Sequence, residues 1–312
     1  MEEDNIKNEI KNILTKNNGI EIYVYIKLMV NNEEKFKVKK LNAQDNLRDK
    51  LQEEIEKRLN EKYCHDDVKY KFIENYNEIK NEYCIIEKKD FCGINTICEL
   101  DEIKEFFKYD NETIEGFIFK YGTESEYLIL YQQFYSINLT NKDKTIMGYI
   151  EIISGKPQFK LVENNILKFT HNIDILILNK YVISDKFKIL EHNFGFQNYI
   201  DNISNNVKNE IANIEMLEET DKVNNFFNDY EFKKKLVKIK GSKVLKMNRE
   251  EILRRVSTDN IYNKIIKIEN GKIKIESKKD FNNFMKLLND DILISNITNT
   301  TYDTTAKTEM TE

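Results

Sequence analysis

The sequence predicts an α+β protein, with a central, mostly antiparallel sheet region followed by an α-rich basic C-terminal domain. Three observations lead there. Residues 114–183 form a succession of runs rich in β-branched and aromatic residues, punctuated by Gly, Asn and the sole proline, Pro157. Beyond Ser184 the apolar residues change to helical spacing. Charge then reverses: Glu231 to Asp290 carries 17 Lys and Arg against 8 Asp and Glu, while the remaining residues carry 32 against 46. These shifts divide the chain into a β-rich assembly domain over 1–184 and a basic domain over 185–312.

The elements follow in order. Ile6, Ile10, Ile13 and Leu14 are spaced as a helix over 4–16, and Asn17-Asn18-Gly19 reads as its stop, with Gly19 left-handed. Strands over 20–30 and 35–40 follow, joined at Asn31-Asn32. Leu47, Leu51, Ile55 and Leu59 stand four apart on one helical stripe. Extended candidates lie at 68–73 and 83–87, and 97–109 reads as helix. The central strands are placed at Ile114–Tyr121, Glu126–Tyr135, Lys144–Ile153, Pro157–Val162, Ile166–Thr170 and Ile173–Ile183. Ile200 through Leu217 define one long amphipathic helix, and Val223 to Tyr230 continue the pattern. Asn248 with Glu251 three residues later has the spacing of an N-capped helix opening at Arg249. Asn270-Gly271 is a hairpin turn joining 264–269 to 272–276. A last helix spans 279–290, and the Thr-rich tail from Asn296 is expected to be loose at its end.

Composition narrows the class. With 17 Tyr, 18 Phe and 40% apolar residues, 312 residues suffice for a packed core. The longest apolar runs, 20–30 and 173–183, contain charges and fall short of the ~20 residues of a membrane span. The acidic start (Glu2, Glu3, Asp4) is unlike a signal peptide, so a cytoplasmic protein with reduced thiols is expected. Cys64, Cys84, Cys92 and Cys98 include no CxxC pair, and no metal or other cofactor is expected.

The candidate site is the run Lys233, Lys234, Lys235, Lys238, Lys240, Lys243, Lys246 and Arg249, eight cations in 17 residues without an acid. Interleaved Leu236, Val237, Ile239, Val244 and Leu245 place them on a folded element with one buried face. Long cationic side chains at this density suit a polyanion, nucleic acid above all. About five phosphate contacts would give log affinity a slope of about −4 to −5 against log salt. The bland alternative is a solvated lysine face in a chain rich in Lys and Asn. Arg254 and Arg255 follow Glu250 and Glu251 at i,i+4 and read as intrahelical ion pairs first. Tyr262 is near enough to stack on a single strand. A helix-turn-helix over 220–258 lacks a well-defined turn at Gly241. Glu276-Ser277-Lys278 has the form of half a metal-nuclease motif, but its acidic partner is misplaced at Asp259. No Walker-type or GxSxG motif occurs, and no catalytic residue is assigned.

Several motifs in succession resemble the KwaB-like proteins of the Kiwa anti-phage defence system. They are Tyr131-Gln132-Gln133-Phe134-Tyr135 after the apolar Tyr127–Leu130, and Ile173–Leu178 with Asn179, Phe187 and Phe194-Gly195-Phe196. Phe281–Asn289 followed by Leu293, Ser295, Thr298, Tyr302 and Lys307 completes them. The likeness covers roughly residues 100–307. It implies a bacterial antiviral protein that binds DNA, forms a homodimer, and works with a KwaA-like multi-spanning membrane subunit. Through that partner it would sit at the inner membrane face without inserting. The resemblance brings no catalytic residues and no positions for the DNA contacts, so the basic residues named above rest on charge. The expected function is non-catalytic DNA binding through phosphates, obstructing phage replication or transcription. The alternatives are a metal-dependent nuclease effector and a pure protein-interaction subunit.

Overall fold

The computed structural model describes residues 2–16, 19–76, 79–108, 113–135, 139–140, 148–153, 156–162, 166–170, 172–218, 220–295 and 297–304. The fold is α+β and divides into two compact units, 1–70 with 85–194 and 71–84 with 195–312.

The first unit runs α1 (Glu2–Leu14), β1 (Gly19–Val30), β2 (Glu33–Lys40), α2 (Asp45–Arg58), β3 (Lys69–Phe72), β4 (Glu82–Glu87), α3 (Asn95–Cys98), β5 (Thr113–Gly122) and β6 (Tyr127–Gln133). It continues with β7 (Leu139–Thr140), β8 (Gly148–Ile153), β9 (Lys156–Leu161), β10 (Ile166–Leu167), β11 (Ile175–Ile177), β12 (Tyr181–Ser184) and α4 (Phe187–Phe194). The sheet order is β2-β1-β5-β6-β11-β12-β4-β3, with β3 and β4 carrying the chain out of this unit and back. From β2 to β12 every neighbour is antiparallel.

The middle strands are buried on both faces, as continuous apolar runs require. One face carries Tyr25, Gly116, Ile118 and Tyr131, which register places side by side. Phe194 of α4 packs there, its ring centroid 5.5 Å from Tyr25 and 5.0 Å from Tyr131. The opposite face carries Phe119, Tyr121 and Leu130, and the Tyr121 hydroxyl donates to Glu56 of α2 at 2.9 Å. Helices therefore cover both sides of the sheet.

A buried polar cluster joins α4 to the sheet. Asn193 Nδ2 donates to the Tyr131 hydroxyl at 2.6 Å, and that hydroxyl donates to Glu115 O at 3.1 Å. The Gln133 N–H donates to Asp174 Oδ2 at 2.8 Å. Burial holds the Asp174 carboxyl above the ordinary carboxylate range, against the opposing pull of that N–H. The aromatic-amide motif at 131–133 is thus the polar centre of a packed core.

The second unit contains α5 (Phe196–Asn213), α6 (Asp221–Asn228), α7 (Tyr230–Ile239), α8 (Arg249–Thr258), α9 (Tyr262–Ile265), the hairpin β13 (Lys267–Glu269) and β14 (Lys272–Lys274), α10 (Lys278–Asn289), and the hairpin β15 (Ile292–Ile294) and β16 (Thr301–Asp303). Its core is aromatic: Phe281 meets Phe232 at 4.7 Å and Phe227 at 5.0 Å, both edge-on. Asn270 and Gly271 both have positive φ, 51° and 71°, as a two-residue turn between twisted strands demands. Asn248 caps α8 by accepting from the Glu251 N–H at 2.9 Å.

Several sequence expectations change. The helix over 97–109 shrinks to α3, because the free edge of β2 recruits the later residues: Lys40 N donates to Glu105 O and Phe107 N to Lys40 O. Gly19 begins β1 and lacks a positive φ, while Asn17 and Asn18 lie outside the described residues. The single strand at 173–183 is a hairpin turning at Asn179-Lys180. The long helix ends at Asn213, because Glu215 takes φ 54° and Met216 O accepts from the Ile273 N–H at 2.7 Å. Residues 221–239 form two helices, since Asp229 is extended and caps α7. Ahead of the end of the tail, Thr301–Asp303 pairs as β16, which the sequence reading did not place; Lys144 and the tail's end, 305–312, lie outside the described residues.

Candidate nucleic-acid interface

The first half of the basic run lies on α7. Asp229 opens the helix by accepting from the Glu231 N–H at 2.9 Å. Phe232, Leu236, Val237 and Ile239 are buried, and they fix which way the lysines point. Lys233 shares the stripe of Leu236 and Val237, three and four residues on, so it faces the core side. Its ammonium donates to Asp201 of α5 at 2.8 Å, and the side chain is only 19% exposed. Lys234 and Lys238, one turn apart, share the outer stripe. Lys234 is exposed with Nζ 4.8 Å from the Tyr230 ring centroid, and Lys238 is half-buried. Lys235 borders that stripe, donating to Asn282 Oδ1 at 2.7 Å and lying 5.2 Å from the Phe232 ring.

The second half lies on the loop from α7 to α8. Gly241 turns the chain with φ 79°, and the Ser242 hydroxyl donates to Leu288 O at 2.5 Å, pinning the loop to the end of α10. Lys240, Lys243 and Lys246 are exposed there. Arg249 turns instead to the hairpin, donating from Nη2 to Gly271 O at 2.6 Å.

The eight cations therefore do not form one uniform row. Lys233 is a strut to a carboxylate and Arg249 a strut to a carbonyl. Lys238, Lys240 and Lys246 have no ion pair among the described residues.

The other candidates are settled locally. Arg255 pairs with Glu251 through Nε at 3.1 Å and Nη2 at 2.7 Å, while Arg254 has no ion pair among the described residues. Tyr262 is buried, so its ring is not offered for stacking. Glu276 accepts from Lys267 at 2.7 Å and lies 3.3 Å from Lys274, and these two ammonium groups hold its carboxyl below the usual range. Lys278 reaches Glu231 at 2.9 Å. The nuclease half-motif is thus engaged in ion pairs. Among the described residues no cluster of three or more His, Cys, Asp or Glu could hold a metal; Cys64 and Cys84 are buried and Cys92 exposed.

Sequence reasoning missed the partners Asp201 and Asn282. It read Lys278 only as part of a nuclease half-motif, whereas its ammonium lies 5.2 Å from the Phe232 ring, the same distance as that of Lys235. No local signal marks these contacts, because α7 makes them only through packing against α5 and α10.

A two-unit α+β protein with a cation-rich helical surface is the class that fold and site define. A family model described as Kiwa protein KwaB-like matches residues 111–298, more than half the chain. The chain belongs to that family, and the family suggests a role in Kiwa anti-phage defence. No curated protein and no solved structure matches it. No described helix is long and apolar enough to cross a membrane.

Proposed function

We propose that this chain is the DNA-binding component of a Kiwa defence system, gripping the phosphate backbone without cutting it. The observation that carries the reading is the acid-free run 233–249, in which Lys238, Lys240 and Lys246 lack carboxylate partners among the described residues. Phosphates would be their counterions, and contacts of that kind position DNA without reading its sequence. Bound phage DNA would be obstructed from replication or transcription. Homodimerisation and recruitment to the inner membrane face by a KwaA-like subunit belong to the same proposal and rest on family membership.

A second reading has its own support. Lys233, Lys267, Lys274 and Lys278 are neutralised by acids of the same unit, as expected of a solvated face on a protein-interaction subunit. A gel-shift series against salt decides between them. DNA binding that weakens steeply as salt rises supports the first reading. A flat response, or no binding at physiological salt, supports the second.

A further inference from the structure

We propose that the cavity between α2 and the sheet of the first unit binds a single-chain amphipathic acid, its apolar body inside and its anionic head on Arg58. The cavity measures about 240 Å³. Its walls are apolar: Leu47, Leu51 and Ile55 line one side, and Phe119, Leu130 and Phe169 the other. Leu47 is 38% exposed and Leu51 only half-buried, so one stripe of α2 reaches the sheet without filling the space beneath it. An unfilled space of this kind, lined by leucine and phenylalanine, favours an apolar guest over water.

Charge at the rim selects the head group. Lys50 is occupied, donating to Glu53 at 2.8 Å and lying 3.6 Å from Glu54. Arg58, at the end of α2, lines the cavity and has no ion pair among the described residues. The polar floor is already committed, because Gln132 Nε2 donates to Thr170 O and Asn172 O, both at 2.7 Å. The remaining cation is a planar guanidinium, which suits a carboxylate or phosphate at the mouth. A mostly apolar space of about 240 Å³ has room for one chain and is small for a nucleotide. The α2 wall precedes the family match, which begins at residue 111, so half of this site is supplied by residues outside it.

The same chemistry is available from a free fatty acid and from the acyl chain of an anionic lipid. The test is calorimetric titration of the full chain with decanoate and with decanol, together with flotation on phosphatidylglycerol and phosphatidylcholine vesicles. Saturable decanoate binding is expected at one per chain. Arg58→Gln should weaken it at least tenfold while leaving decanol unchanged, and Leu51→Trp should abolish both. Leu47→Trp, at the exposed mouth, serves if the deeper change unfolds the protein. Decanoate that displaces the protein from phosphatidylglycerol vesicles identifies lipid as the source; solution binding without flotation identifies the free acid. Absence of saturable binding, equal affinity in Arg58→Gln, or flotation that decanoate does not displace overturns the proposal. Loss of DNA binding in the salt series leaves this site untouched, since it lies wholly in the first unit.

Discussion

The Lys233 ammonium donates to the Asp201 carboxylate across 2.8 Å, making the first cation of the basic run a tie between α7 and α5. Lys238, five residues later, has no such partner among the described residues. Two lysines of one run thus have different work, and the difference is measurable.

Replacing Lys233 with Gln should lower stability by about 1 kcal/mol, the scale of a partly exposed pair. The salt slope of DNA binding should stay where it is. Thermal melting beside the gel-shift series checks both halves. A reduced slope with an unchanged melting point would reverse the assignment.

Changing Lys238, Lys240 and Lys246 together to Glu should do the opposite. Each phosphate contact contributes about 0.9 to the slope of log affinity on log salt, so the slope should become shallower by about 2 to 3. Melting should change little, because Lys240 and Lys246 are exposed and Lys238 is only half-buried.

Glu276 contacts two cations. Glu276→Gln should free Lys267, while Lys274 stays paired with Glu269 at 2.9 Å, and tighten DNA binding modestly at low salt. Incubation of the same variant with plasmid and Mg²⁺ or Mn²⁺ tests the nuclease alternative. Cutting by the native chain that disappears in the variant would assign Glu276 a catalytic role.

Gly116 makes room for a tyrosine. A Cβ there would stand 2.4 Å from the Tyr131 ring, within the polar cluster with Asn193. Gly116→Ala should therefore cost about 1 to 3 kcal/mol in denaturant unfolding, as overpacking does.

Asp174 gives a pH signature. Its folded pKa is raised by burial, so the unfolded chain releases this proton first as pH rises. The carboxyl is harmless below its unfolded pKa; its cost to stability grows as pH rises from there and is complete above the raised folded value. Asp174→Asn keeps an acceptor for the Gln133 N–H and removes the buried charge. The variant should equal or exceed the native stability at neutral pH, and that advantage should vanish in acid. Urea melts across pH check it; a variant less stable at pH 7 than in acid, relative to native, contradicts the argument.

Some of this was legible without a structure, and some was not. The cap at Asn248, the turn at Asn270-Gly271 and the buried stripe of α10 were readable because each involves residues within four positions, where chain geometry leaves few choices. The helix expected over 97–109 was misread because its apolar pattern is local, whereas the open edge of β2 that captures residues 105–107 is distant in sequence. The strand expected over 173–183 concealed a turn at Asn179-Lys180 that apolar content alone did not reveal.

By itself the sequence determined the α+β class, the place where charge reverses, and the succession of motifs that marks the family. Only the tertiary structure decided which lysines are ties and which face outward. The partners of Lys233 and Lys235 lie 32 and 47 residues away, and such contacts exist only once α5, α7 and α10 have packed their aromatic faces together. Periodicity specifies the buried side of a helix, but burial against a particular neighbour is what selects the counterion.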